Sequence, residues 1–168
     1  DKNWSQADVN IIHDFVLRGG NVWMGCHDVS ISESLTTTGK SNSKLNFLST
    51  IGLMPYKDDG STSIFTPTLP VHEKGFDKDK VLYDLSSASN PIMQFMGKIH
   101  NALDGNSESV YLPLQNGAWR PSTTVGFYDP THPDVINNKS SGKAAIIAFG
   151  PAYGNSNYGS VLYQGSHI

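Results

Sequence analysis

The sequence predicts an α/β fold, because an amphipathic helix is followed at once by a short apolar strand. The helix expected over residues 5–18 begins with a capping-box-like pattern, in which Ser5 is the N-cap and Asp8 replaces the usual Glu or Gln. Its apolar residues recur at helical spacing, and Gly19-Gly20 ends it. Residues 21–25 then have the pattern of a buried strand.

The rest of the chain supplies further strands and long turn-rich segments. A short helix is expected at Leu45–Ile51, and residues 91–96 fit either a helix start or a buried strand. Strands are expected at 63–66, 109–114, 123–128, 143–149 and 161–164, with a short mixed segment at 79–85. Turn residues dominate 55–70, 129–134 and 150–159.

The amino-acid composition argues against some classes of function and favours one location. Only 16% of the 168 residues are charged and the formal net charge is −3, so an electrostatic surface for nucleic acid or an anionic membrane is not expected. The uncharged polar composition favours an extracellular or cell-surface location, and two N-glycosylation acceptor patterns, at 3–5 and 138–140, agree with it. No apolar run is long enough to span a bilayer. One domain, residues 1–168, is expected from the length.

Two strand ends carry potentially reactive side chains. The strand at 21–25 leads into Cys26, the one cysteine of the chain, and the strand at 161–164 is followed by Gly165-Ser166-His167. Open α/β sheets present reactive groups at the carboxyl ends of their strands, so Cys26 and His167 could form a nucleophile–base pair. The alternative role for Cys26 is that of a small buried apolar residue.

These two ends resemble a known superfamily. The pattern Phe-Val-x-x-Gly-Gly-Asn-Val before a strand that ends in Gly-Cys-His, with the final Gly-Ser-Val-Leu-Tyr-Gln-Gly-Ser-His, is similar to the class I glutamine amidotransferase-like superfamily, including its ThuA-like branch. The resemblance covers about residues 1–30 and 144–168. It implies a three-layer, flavodoxin-like fold with a mainly parallel sheet and β-rich insertions in the middle. It also implies catalytic roles for Cys26 and His167, with Glu33 as a candidate acidic partner.

Two departures from the family pattern predict that the chain is not an active glutaminase. Working members have Gly-x-Cys-x-Gly at the strained turn, whereas Met24 and Asp28 occupy the flanking positions here. The family histidine is normally followed two residues later by a glutamate that orients its imidazole, and this sequence ends at Ile168.

Aromatic residues in the loops suggest a second kind of site. Trp119, Arg120, Tyr153 and Tyr158 could stack on sugar rings, or they could simply anchor their loops. Trp23 is expected in a core strand and is therefore discounted as a ligand contact. The six histidines show no metal-binding spacing, so neither a metal nor another cofactor is expected.

Three functions remain open at the level of sequence. The first is a secreted or surface-exposed structural or binding module, the second a cysteine-dependent hydrolase or amidotransferase that uses Cys26 and His167, and the third a ThuA-like domain that binds or processes carbohydrate. Domains of this superfamily have strands before the cysteine-bearing strand, which is the first strand here. The missing strands are expected from the remainder of a larger polypeptide or from an adjoining subunit.

Overall fold

The computed structural model describes residues 5–25, 28–29, 32, 45–50, 56–57, 66–67, 82–83, 89, 91, 118–129 and 144–164. Helix α1 (Gln6–Leu17) and seven strands are defined in these ranges. The strands are β1 (Val22–Gly25), β2 (Tyr56–Lys57), β3 (Thr66–Pro67), β4 (Leu82–Tyr83), β5 (Thr124–Asp129), β6 (Ala144–Pro151) and β7 (Ser160–Gln164). The strand predicted at 109–114 and most of the element predicted at 91–96 lie outside the described residues.

Helix α1 begins and ends as the sequence predicts. The Ser5 hydroxyl accepts a hydrogen bond from the Asp8 N–H at 3.3 Å, and the Ser5 N–H donates to the Asp8 carboxylate at 2.7 Å, which completes a capping box. After the C-cap at Arg18, Gly19 adopts a φ of 93°, a left-handed conformation that glycine adopts without steric cost. The Gly20 N–H then donates to the Phe15 carbonyl and turns the chain toward β1.

The sheet confirms the α/β class, but its described strands are mainly antiparallel. Five strands are hydrogen-bonded in the order β1-β7-β6-β5-β4. The β1–β7 pair is parallel, whereas β7–β6, β6–β5 and β5–β4 are antiparallel. The expectation of a mainly parallel sheet is therefore wrong for the described strands, because the later strands follow one another through antiparallel connections. The three-layer flavodoxin-like arrangement stays a prediction.

One face of the sheet forms part of the hydrophobic core. The strand registers align one row of side chains across four strands, and every member of the row is buried: Met24, Tyr163, Ala148 and Val125. The Tyr163 hydroxyl donates to the carbonyl of Leu45 at 3.4 Å, so segment 45–50 lies near this row.

Trp23 is on the other face of the sheet and is 62% exposed, so its expected place in the core is wrong. Side chains alternate between the faces of a strand, and Met24 next to it takes the buried side. The row that includes Trp23 continues through Leu162, which is half-buried, to Phe149, which is buried. Because β1 is the terminal strand among those described, cover on this face decreases toward Trp23.

Residues 45–50 do not form the short helix expected at Leu45–Ile51. They run beside residues 118–120 instead: Ser49 forms an antiparallel bridge with Trp119, and the Arg120 N–H donates to the Leu48 carbonyl at 2.9 Å. The Asn46 amide donates to the Ser49 carbonyl at 3.2 Å, a local bond that competes with helical pairing. Tertiary pairing and the burial of Phe47 decide the conformation here.

Candidate functional site

The described topology brings the segments that lead to Cys26 and His167 to one edge of the sheet. Cys26, His167 and Glu33 themselves lie outside the described residues. In the parallel β1–β7 pair, however, Gly25 is the register partner of Gln164. Neighbouring parallel strands end at the same edge, so the residue before the cysteine and the last residue of β7 lie side by side. That Cys26 and His167 form a nucleophile–base pair stays a prediction.

Helical backbone follows β1 closely in the sequence. The strand ends at Gly25, and the backbone is helical again at Asp28 and Val29. A strand followed closely by helical backbone is the order of elements found at a nucleophile elbow. Asp28 is exposed, whereas Val29 is buried and its carbonyl accepts a hydrogen bond from the Ser32 hydroxyl at 3.0 Å.

Three of the four residues predicted to contact a ligand come together around Tyr153. The guanidinium carbon of Arg120 lies 5.3 Å from the centroid of the Tyr153 ring, and the Tyr158 ring meets it edge-on at 6.4 Å. Phe47, at 5.3 Å, and His13, at 6.2 Å, complete this aromatic cluster. Phe47 and His13 were not predicted from the sequence, since nothing in their spacing indicates contact with a residue more than 100 positions away.

Arg120 ties the aromatic cluster to segment 45–50. Its Nε donates to the Phe47 carbonyl at 3.1 Å, and one terminal nitrogen donates to the Asn46 carbonyl at 3.1 Å. Trp119, the fourth predicted contact, is half-buried next to Arg120, and its backbone forms the bridge to Ser49. Through these hydrogen bonds, Arg120 connects two segments that are far apart in the sequence.

Tyr153 has the one positive φ among the described non-glycine residues, at 55°. This left-handed conformation is unfavourable for a bulky residue and persists where the surroundings over-determine it. Here the Tyr153 N–H donates to the Phe47 carbonyl at 2.8 Å, and the ring packs in the aromatic cluster. The cluster therefore fixes the connection between β6 and β7. A ligand-binding role for these residues stays a prediction.

Exposed apolar side chains are found on α1 and on β1. The large hydrophobic side chains that are exposed among the described residues are Ile11 at 67%, Phe15 at 52% and Trp23 at 62%. Ile11 and Phe15 are one helical turn apart, on the side of α1 away from the buried Val9 and Val16. A groove of about 580 Å³ runs beside them, lined by Ile11, Asp14, Phe15, Arg18, Gly19 and Gly20.

The charged residues of α1 near this groove are of both signs. Asp14 and Arg18 border the groove and are exposed. At the start of α1, the backbone N–H and the hydroxyl of Ser5 both bind the Asp8 carboxylate and lower the pKa of Asp8 below its usual range. Asp8 is therefore ionised at neutral pH.

No described group of three or more His, Cys, Asp or Glu side chains is arranged to hold a metal ion. None of the described helices combines the length and apolar character needed to cross a membrane. No protein-family model, curated protein or solved structure matches this chain.

Proposed function

We propose that this chain is a glutamine amidotransferase-like structural or binding module, secreted or displayed at a cell surface, that works within a larger assembly. The exposure of Ile11, Phe15 and Trp23 carries the proposal. Soluble proteins expose single apolar residues commonly, but a cluster bordered by polar residues is typical of an interaction site. Ile11 and Phe15 form such a cluster beside a groove, with Asp14 and Arg18 at its border.

The terminal position of β1 supports the same proposal. Among the described strands, β1 pairs with β7 on one side only. A strand with an unpaired edge accepts another strand readily, and neither proline nor a charged residue protects Val22–Gly25. The remainder of a larger polypeptide or an adjoining subunit would supply the pairing strand and cover Trp23.

A photo-crosslinking amino acid at position 23 tests the module in the cells that express the full protein. We expect a covalent adduct with another polypeptide or with a distant part of the parent chain. The matched control places the same probe at Ser122, which is also exposed and lies in the turn before β5. Adduct formation at position 23 and not at 122 supports the proposal, whereas equal yields at both positions, or none at 23, refute it.

A cysteine-dependent hydrolase or amidotransferase is the second candidate. It is favoured by the register of Gly25 with Gln164 and by the helical backbone that follows β1 closely in the sequence. Ammonia release from glutamine by the wild-type chain, lost in Cys26→Ala, would establish this candidate in place of the module. We expect no such release, because Met24 and Asp28 replace the glycines of the family elbow.

The carbohydrate alternative has less support from the described side chains. Tyr153 is at the centre of the predicted sugar-stacking residues, and its ring already contacts Phe47, Arg120 and Tyr158. Aromatic side chains that stack on sugars need an open ring face. The observed contacts instead suit the anchoring of the loop between β6 and β7.

A further inference from the structure

The exposed side of α1, together with its C-cap residue Arg18, has a self-complementary order of side chains. Asp8, Ile11, Phe15 and Arg18 are separated by three, four and three residues, the spacing that forms a continuous seam between two packed helices. All four residues are exposed. From the N-terminal to the C-terminal end, this seam presents an acidic, two apolar and a basic side chain.

A two-fold axis through the middle of the seam makes it complementary to itself. Ile11 and Phe15 are equally far from position 13, and so are Asp8 and Arg18. In an antiparallel pair of α1 helices centred there, each Ile11 therefore meets Phe15 of the second copy, and each Asp8 reaches the level of Arg18 of the second copy. Isologous dimers require this match of a surface with its own copy.

The residues at the two ends of the seam, Asp8 and Arg18, are both charged at neutral pH. Asp8 is ionised, since Ser5 hydrogen bonds stabilise its carboxylate, and arginine is always protonated in proteins. Asp14, also on this side of α1, lies beside the seam. It is exposed, and its carboxylate lies 3.1 Å from Nδ1 of His13. The groove beside Phe15 gives room for an apolar side chain of the partner.

We infer that α1 docks antiparallel against α1 of a second copy of this chain, with Ile11–Phe15 contacts in the centre and Asp8–Arg18 ion pairs at both ends. The inference rests on the proposed binding function, since it names the occupant of the α1 part of that surface. A uniformly charged partner fits less well, because it would place a like charge against either Asp8 or Arg18. One helix pair is a small interface, so the dimer is weak and reversible.

Reciprocal charge reversal tests the pairing by sedimentation equilibrium of the full chain. Asp8→Arg alone and Arg18→Glu alone each place like charges opposite one another at both ends of the dimer. We expect each variant to raise the dimer Kd by about tenfold, the sum of two attractions lost and two repulsions gained at an exposed site. An equimolar mixture of the two variants restores opposite charges at both ends, and its Kd returns to within about threefold of the wild type.

Two controls keep the result interpretable. Asn10→Arg adds a charge on α1 outside the seam and leaves the Kd unchanged. Arg18→Glu leaves the capping box intact, so its effect on the Kd cannot come from a lost helix cap. Circular dichroism checks that every variant is folded. High salt weakens the wild-type dimer, because exposed ion pairs are screened.

The outcomes separate this inference from the proposed function. A wild-type chain that stays monomeric at high concentration, or a dimer whose Kd is insensitive to Arg18→Glu and to the mixture, overturns the α1–α1 pairing. An adduct at position 23 with a different polypeptide would still support the module in either case. Charge-dependent dimerisation combined with Cys26-dependent ammonia release would overturn the module as the function and leave the pairing intact.

Discussion

Replacing Arg120 with methionine distinguishes a structural anchor from a ligand contact. Methionine keeps much of the apolar stem but removes both hydrogen bonds to segment 45–50 and the cation over Tyr153. The carbonyls of Asn46 and Phe47 then lose a donor in a part of the molecule that is largely buried. We therefore expect Arg120→Met to lower the free energy of unfolding.

The magnitude follows from the contacts. A hydrogen bond from a charged donor contributes about 1.5–3 kcal/mol, and a cation over an aromatic ring at a half-buried site contributes about 1 kcal/mol. The three contacts share one side chain and one neighbourhood, so they do not add fully. We expect a loss of about 3 kcal/mol for Arg120→Met and about 1–2 kcal/mol for Arg120→Lys, which can keep one bond but not the planar pair of donors.

Urea unfolding followed by far-ultraviolet circular dichroism measures this difference. The midpoint should fall while the slope with urea concentration stays the same, because the surface exposed on unfolding is unchanged. Asn157→Ala, an exposed change in the loop between β6 and β7, serves as the control and should shift stability by less than about 0.5 kcal/mol. If Arg120→Met is as stable as this control, Arg120 does not hold the two segments together.

Two further predictions concern α1 and its junction with the sheet. Gly159→Ala should destabilise the fold by about 2 kcal/mol, since a Cβ there would overlap the carbonyl of Gly20. Its control, Gly25→Ala, should cost less than about 0.5 kcal/mol, because the atom nearest to the added Cβ is 4.0 Å away. Urea unfolding measures the difference between the two variants. Asp8→Asn should remove a pH dependence from thermal unfolding. The lowered pKa of Asp8 stabilises the fold above the ordinary carboxyl pKa of about 4, and this stabilisation is lost as the pH falls through the lowered value. If the melting temperature falls equally at low pH in Asp8→Asn and in the wild type, the lowered pKa of Asp8 does not contribute to stability.

The elements that the sequence predicts well are those with local causes. The start of α1 depends on Ser5 and Asp8, which are three residues apart, and its end depends on the glycine at position 19. The predicted strands at 21–25, 123–128, 143–149 and 161–164 are also confirmed within one or two residues, since their apolar runs are bounded by turn residues. Such signals do not need knowledge of the rest of the fold.

The errors concern properties that depend on distant partners. Segment 45–50 is not helical because it pairs with residues 118–120, which no local pattern reveals. Trp23 is exposed because β1 is the terminal described strand, and the position of a strand in a sheet is not encoded in four residues. The sequence likewise predicts Arg120 and Tyr153 only as residues of two separate loops, and no local pattern indicates that they are in contact.

The pairing of β1 with β7 sets the order in which the chain can fold. The Ser160 N–H donates to the Asn21 side chain across 139 residues, directly beside the first register pair of the two strands. Among the described strands, the one partner of β1 is β7, which is synthesised much later than β1. Strands β5, β6 and β7 can pair successively as they emerge, whereas the described pairing of β1 cannot form until β7 is complete. The β1–β7 pair is therefore the last of the described pairings that can form, and a chaperone that shields Val22–Gly25 until then would raise the yield of folded protein.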